Sequence, residues 1–284
     1  MLFETLILGS KIRLTASQNR VADYIIKHED ESPFLTVSQL AKKTGVSEAT
    51  VVRLAQGLGF DGYPGMQRML REDLQGRLST VTRAQEAIEH ARSDQDILSR
   101  VMKEDLYNLT KTLQNLSPET FHQAVEDIQS ARQIFVAGLR GAHAPALILA
   151  LYLRFLKKKV HLAVPGYGDV WNDILGVTAD DLVIGISLPR YTRVTVEILE
   201  YAHEQGARVG AITDSPLSPL AFHADWVLAV YSRIDSFIES FTAAVSLINA
   251  LLTAVSVQNP EETVGALKER EALWKAKKIY MTPL

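Results

Sequence analysis

The spacing of apolar residues changes character along this chain, and each change marks an element. Thr15 or Ser17 is placed to start a helix with Val21, Ala22, Ile25 and Ile26 on its inner side, and residues 3–13 are patterned for a short helix before it. Pro33 ends that region. Thr36 then caps a helix with Val37, Leu40 and Ala41 inward, and Gly45 stops it, because a tight turn there needs positive φ. Val46 follows as a buried plug. Ser47 caps the next helix, whose stripe is Val51, Leu54, Ala55 and Leu58. Gly59 to Gly65 reads as a glycine-rich turn, and Met66, Met69, Leu70 and Leu74 carry one more helix. The expectation is an all-α, five-helix head over 1–77.

Residues 78–116 keep a helical pattern with Ile88, Ala91, Ile97, Val101, Leu106, Leu109 and Leu113, and predict a helical connector packed on the second domain or on a partner subunit. In the remainder, 117–284, short continuous apolar runs alternate with helical stretches. The runs are 134–137, 160–164, 182–186, 209–213 and 226–230; helices are expected over 144–155, 192–205, 236–257 and 261–279. Five such runs predict an α/β domain with a parallel sheet covered on both faces.

Short helix, glycine turn and capped helix over 36–58 are what a helix-turn-helix requires, although a plain helical hairpin uses the same spacing. Its second helix presents Glu48, Thr50, Arg53 and Gln56 outward. The formal net charge is −3, so any DNA contact rests on a local patch, for which Lys42, Lys43, Arg53, Arg68 and Arg71 are available. The candidate DNA-contacting set is Lys42, Lys43, Ser47, Glu48, Thr50 and Arg53. A partner of this kind is a double-stranded, pseudo-palindromic operator bound by a two-fold homodimer.

In an open α/β sheet, ligands sit beyond the carboxyl ends of the strands. Two loops there each precede a helix: Gly138-Leu139-Arg140-Gly141-Ala142-His143 and Ser187-Leu188-Pro189-Arg190-Tyr191-Thr192. Helix N-termini suit an anion, and guanidinium groups clamp carboxylates or phosphates. The candidate ligand-binding set is Gly138, Arg140, Gly141, His143, Ser187, Arg190, Tyr191 and Thr192. The alternative is that Ser187 and Thr192 merely cap and that the arginines form surface ion pairs.

Three stretches, SEATVVRLAQGLGFDGY, DDLVIGIS and AITDSPLSPLAFHADWVLAV, resemble the RpiR/MurR-type transcriptional regulators. The resemblance implies an N-terminal helix-turn-helix joined to a C-terminal SIS (sugar isomerase) domain. That domain is a doubly wound, five-stranded parallel sheet in flavodoxin-like order. It further implies SIS-domain dimers, in some cases paired into a homotetramer, and an effector, commonly a phosphorylated sugar, that changes DNA affinity. The chain departs from the family pattern at both loops. Arg140 and Ala142 stand where glycine and serine are usual, and Pro189 and Arg190 replace Ser-Gly in Ser-x-Ser-Gly-x-Thr. Two hydroxyl positions are lost and two arginines gained, so the effector is expected to be a small anionic metabolite, phosphosugar or carboxylate. The alternative function is a sugar-phosphate isomerase using Glu239 or Glu197 as base.

With 47% hydrophobic and 22% charged residues, the composition is that of an ordinary globular protein, and no run approaches the about 20 apolar residues of a membrane span. The absence of cysteine excludes disulfides and thiolate chemistry and fits a cytoplasmic protein. The seven histidines show no ligand spacing, so neither metal nor other cofactor is expected. Asp173, Asp180 and Asp181 read as turn and capping groups, and Phe237, Phe241, Val245 and Ile248 as a core or dimer-facing helix face.

Overall fold

The computed structural model describes Phe3, Leu6, Ile7 and residues 14–29, 31–77, 79–93, 96–156, 159–164, 169–233 and 236–281. The short helix expected over 3–13 falls mostly outside them. The chain divides into two units, Met1–Ser93 and Asp94–Leu284.

In the first unit, helices α1 (Ala16–Lys27), α2 (Val37–Thr44), α3 (Glu48–Gly57), α4 (Tyr63–Arg77) and α5 (Thr80–Ser93) follow one another. Thr15 and Thr36 each close a capping box, with Gln18 and Gln39 reaching back to the cap N–H. Gly45 takes φ 64° at the end of α2, and Ser47 accepts the Thr50 N–H at the start of α3. Val21, Ile25, Leu40, Val51, Leu54, Met66 and Leu70 form the buried seam. Val46 is only half-buried, so it is not the plug the pattern suggested. The turn after α3 is shorter than expected, because Tyr63 already opens α4 and is buried. Its hydroxyl donates to the Leu35 carbonyl at 2.6 Å, which Gln67 also reaches at 2.7 Å, and burial pushes its pKa up to about 12. These bonds tie α4 to the 3-10 turn around Pro33.

The second unit begins with α6 (Ile97–Asn115) and α7 (Pro118–Ser130). The stretch expected as one connector is therefore two helices, one in each unit. Strands β1 (Ile134–Ala137), β2 (Val160–Leu162), β3 (Leu182–Ile186), β4 (Arg208–Thr213) and β5 (Trp226–Ala229) form one parallel sheet in the order β2-β1-β3-β4-β5. Between them lie α8 (His143–Phe155), α9 (Val170–Ile174) and α10 (Arg193–Glu204), and α11 (Thr242–Gln258) and α12 (Pro260–Lys277) follow. Alternation along each strand splits the core. Ile134, Val136, Ile184 and Leu228 face α7, α8 and α11, whereas Phe135, Ala137, Val183 and Val209 face α9 and α10. Gly210 leaves room for the Trp226 indole, whose ring atoms lie 2.1 Å from where a Cβ would stand. The indole N–H donates to buried Asp127 at 2.9 Å.

One expectation fails here. The helix expected from residue 236 begins at Thr242, so Phe237 and Phe241 precede it; Phe237 is exposed. Of the apolar stripe of α6, Leu109 packs on the core of the second unit. Ile97, Val101, Leu106 and Leu113 are exposed, while its buried positions include Asn108 and Thr112. Of the three aspartates, Asp173 accepts the Val164 N–H, and Asp181 accepts the Thr178 N–H and pairs with Arg132.

Candidate functional site

In the first unit the outward side of α3 carries Glu48, Thr50, Arg53 and Gln56, with Glu48, Arg53 and Gln56 exposed and Thr50 half-buried. Ser47 Oγ lies 2.9 Å from Thr50 Oγ1, so the two hydroxyls serve each other and the cap. Arg53 Nε donates to the Ala49 carbonyl at 3.1 Å, which lays the guanidinium along its own helix. The two lysines of α2 differ. Lys42 is exposed and has no ion pair among the described residues, whereas Lys43 is bound by Glu31. The Glu31 carboxylate raises the Lys43 pKa. Burial would raise Glu31 itself, but Lys43 and the Tyr24 hydroxyl outweigh it, and its carboxyl sits below the ordinary range. Arg71 Nε is engaged by the Pro33 carbonyl, and Arg68 is exposed.

In the second unit the observed strand order reverses between β1 and β3, and the two candidate loops leave those neighbouring strands. In the first loop Gly138 is obligatory, since a Cβ would meet the Ala142 carbonyl at 2.6 Å and Ala146 Cβ at 2.7 Å. Arg140 is exposed and left-handed at φ 57°, the region where an L-residue is disfavoured by about 1–2 kcal/mol. His143 Nδ1 lies 3.1 Å from the Gly138 carbonyl and so donates to it, turning the ring back onto the loop.

In the second loop Ser187 is buried, and its Oγ accepts the Thr192 N–H at 3.1 Å, closing the turn into α10. Thr192 makes no side-chain capping bond, so of the two hydroxyls only that of Ser187 serves the cap. Within that first turn the Thr195 N–H donates to the Thr192 carbonyl at 3.0 Å. Tyr191, expected to touch a ligand, donates its hydroxyl to Asp214 at 2.8 Å and ties the loop to the end of β4. Arg190 is exposed.

Two further features adjoin these loops; the sequence names Glu239 and Phe241 without placing them here, and gives no sign of Thr195. Thr195, fully buried in the first turn of α10, has a hydroxyl without a partner among the described residues. Glu239 and Phe241 lie against the first loop: a Cβ on Gly141 would stand 3.2 Å from Glu239 Oε2 and 3.1 Å from the Phe241 ring. Glu197 forms an ion pair with Arg193 at 2.6 Å. Among the described residues no group of three or more histidine, aspartate or glutamate side chains is placed to hold a metal ion. No single helix there is long and apolar enough to cross a membrane.

Comparison with known proteins bears on both units. The helix-turn-helix domain of the rpiR family matches residues 1–77, and the SIS domain matches residues 127–254. The sugar isomerase domain of an RpiR transcription factor from Sphaerobacter thermophilus is 32% identical. It covers 63% of this chain and 99% of its own, with a TM-score of 0.60. The HTH-type transcriptional regulator HexR of Pseudomonas aeruginosa is 28% identical over 259 residues, 86% of each chain. The NanR protein of Vibrio vulnificus, solved in complex with ManNAc-6P, shares the fold over 97% of this chain and 98% of its own. Its TM-score is 0.64 at 20% identity. A helix-turn-helix head, a five-stranded parallel SIS sheet and these relatives place the chain in the RpiR family of transcriptional regulators.

Proposed function

We propose that this regulator is ligand-responsive. Helix α3 reads an operator, and the loops after β1 and β3 take a small anionic metabolite, a phosphosugar or a carboxylate, whose binding changes operator affinity. The observation that carries this reading is the position of the two loops at the reversal of strand order, the expected ligand crevice of an open α/β sheet. Around it stand two exposed arginines, a hydroxyl on Thr192 not used in capping, and the amino ends of two helices of 12 and 13 residues. NanR, which shares the fold, was solved with a phosphorylated sugar. Arg140 and Arg190 supply the directed, charge-assisted bonds that a phosphate or carboxylate accepts, with Ser187 shaping the turn.

On the DNA side, Ser47, Glu48, Thr50 and Arg53 stand at the base-facing start of α3, and Lys42 and Lys43 beside the backbone. Pairing of two half-sites by a dimer, or a tetramer, accounts for the uncovered stripe of α6, where Leu98, Leu106 and Leu113 are 75%, 61% and 80% exposed. Such a protein works in the cytoplasm and turns over no substrate. The rival isomerase reading has one observation in its favour, Glu239 beside the first loop.

A thermal-shift panel of sugar phosphates against carboxylates, followed by calorimetry, tests the ligand class, because a ligand of the folded state raises apparent stability. A neutral molecule as the best ligand overturns the anion assignment, and turnover of a sugar phosphate by the pure chain overturns the regulator reading in favour of the isomerase. On the DNA side, Arg53→Ala is expected to cost about 1–3 kcal/mol of specific operator binding at fixed salt. Lys42→Ala is expected to weaken all sequences alike and to flatten the salt dependence. The effect of Lys43→Ala is expected to be smaller, since Glu31 already holds that ammonium.

A further inference from the structure

The contact between Glu239 and the first loop points beyond ligand binding to how occupancy is reported, and it rests on the site reading above. Gly141 belongs to the loop proposed to receive an anion, yet the groups a Cβ there would meet are the Glu239 carboxylate and the Phe241 ring. The residues on either side of Phe241 are both held by one side chain of α6. Ser240 Oγ donates to Asp105 Oδ1 at 2.5 Å, and Thr242 Oγ1 donates to Asp105 Oδ2 at 2.9 Å. The same face of α6 continues the attachment. The Asn108 amide donates to the Arg233 carbonyl at 3.2 Å and accepts the Arg233 N–H at 3.0 Å, and Thr112 Oγ1 accepts the Tyr231 N–H at 2.7 Å. Positions 105, 108 and 112 share one side of a helix. That side is polar and packed, against the ordinary preference for apolar contact, so these bonds specify one position of α6 rather than merely adding burial. In the chain α6 directly follows the unit that carries the helix-turn-helix.

We infer that Glu239 is a resident carboxylate on the first loop, that an incoming anion displaces it, and that the displacement reaches α6 through Asp105. Two negative groups at one loop repel, so anion occupancy and the Glu239 contact exclude one another. That exclusion supplies the difference in ligand affinity between two states without which no ligand shifts an equilibrium. Phe241 moves with its neighbours, and the Ser240 and Thr242 bonds to Asp105 are the link to the helix. Asp105 acts here as a positioning residue.

Calorimetry on the full chain with inorganic phosphate and with ManNAc-6P tests the first step. Glu239→Gln removes the repulsion and is expected to bind both probes severalfold more tightly than wild type. Amide hydrogen exchange tests the second. With either probe, exchange is expected to slow at 138–143 and 187–192 and to quicken at 239–242. The third readout is affinity for a duplex selected by the wild-type chain from a random pool, with and without ManNAc-6P. Asp105→Ala is expected to keep the slowed exchange of the loops and to lose the ligand-induced change in duplex affinity, and Asp105→Asn, which keeps one acceptor, to restore part of it. Slowed loops with unchanged or weaker binding by Glu239→Gln, or an unaltered ligand-induced change in Asp105→Ala, overturn the inference and leave the site reading standing. Loops that respond to neither probe in wild type or in Glu239→Gln overturn the inference, and loops that respond to no carboxylate of the thermal-shift panel either overturn the site reading with it.

Discussion

At the amino end of the sheet Asp181 receives two bonds from Arg132, at 3.0 and 2.7 Å, together with the Thr178 N–H and hydroxyl. At the carboxyl end Arg140 stands exposed in a left-handed conformation, with no ion pair among the described residues. The amino end also holds Arg208 between Asp127 and Asp225, at 3.6 and 3.9 Å, and Asp127 takes the Trp226 N–H. A cavity of about 410 Å³ opens there, lined by Asp127, Arg132, Asp180, Asp181 and Arg208 among others. Its charges are matched from within the chain, so a ligand would have to displace bonds already made. The carboxyl end, by contrast, combines helix N-termini, an uncapping threonine and arginines presented to solvent. A cavity whose charges are already bonded to one another is a weaker candidate than its volume suggests.

This contrast can be broken by separating stability from ligand binding at each end. Asp181→Ala is expected to have the largest effect, a loss of on the order of 2–3 kcal/mol in urea unfolding, since it strips a buried acceptor from Arg132 and Thr178. Effector affinity is expected to stay at the wild-type value. Burial would raise the Asp181 pKa, but Arg132 and Thr178 hold it below its ordinary 3.8. A depressed carboxyl stabilises the fold above the unfolded value and loses that contribution as pH falls through the folded one. Wild type is therefore expected to lose more stability than Asp181→Ala on titration below 3.8; parallel acid limbs would contradict the assignment.

At the other end the order is reversed. Arg140→Ala and Arg190→Ala are each expected to lose about 2 kcal/mol of effector affinity by calorimetry, with unfolding free energies within about 0.5 kcal/mol of wild type. Equal affinities in both variants would remove the arginines from the site. Ser187→Ala, which leaves the Thr192 N–H without its acceptor, is expected to cost about 1 kcal/mol of stability, the usual worth of an N-terminal capping bond. The smallest and sharpest effect belongs to Arg140→Gly. Relief of the left-handed strain, less the added freedom of the unfolded chain, is expected to raise stability by at most about 1 kcal/mol. The same variant is expected to bind the effector more weakly. If it gains stability without losing affinity, Arg140 is a tolerated irregularity rather than a ligand contact.

Much of this molecule is written in local pattern. The caps at Thr15, Thr36 and Ser47 and the glycine at 45 act within three or four residues of themselves, so their geometry follows from the sequence around them. The strands β1 and β3 stand where continuous apolar runs put them, because a strand buried on both faces admits few polar residues. The two candidate loops were legible for the same reason, as the segments leaving apolar strands just before helices.

What local pattern did not carry was every feature made by residues distant in sequence. The α6 stripe of Ile97, Val101, Leu106 and Leu113 reads as a packed face, yet the buried residues of that helix include Asn108 and Thr112. Their partners, Tyr231 and Arg233, lie more than a hundred positions away. The bond from the Tyr191 hydroxyl to Asp214 and the pairing of Lys43 with Glu31 likewise join residues that no local pattern links. Glu239 carried no motif and acquires its place at Gly141 only through the path of the chain after β5. Periodicity and capping are encoded in residues a few places apart, and the chain declares them directly. Hydrogen bonds and charge pairs across the fold depend on which segments are brought within about 3 Å of each other, and no spacing along the sequence expresses that distance.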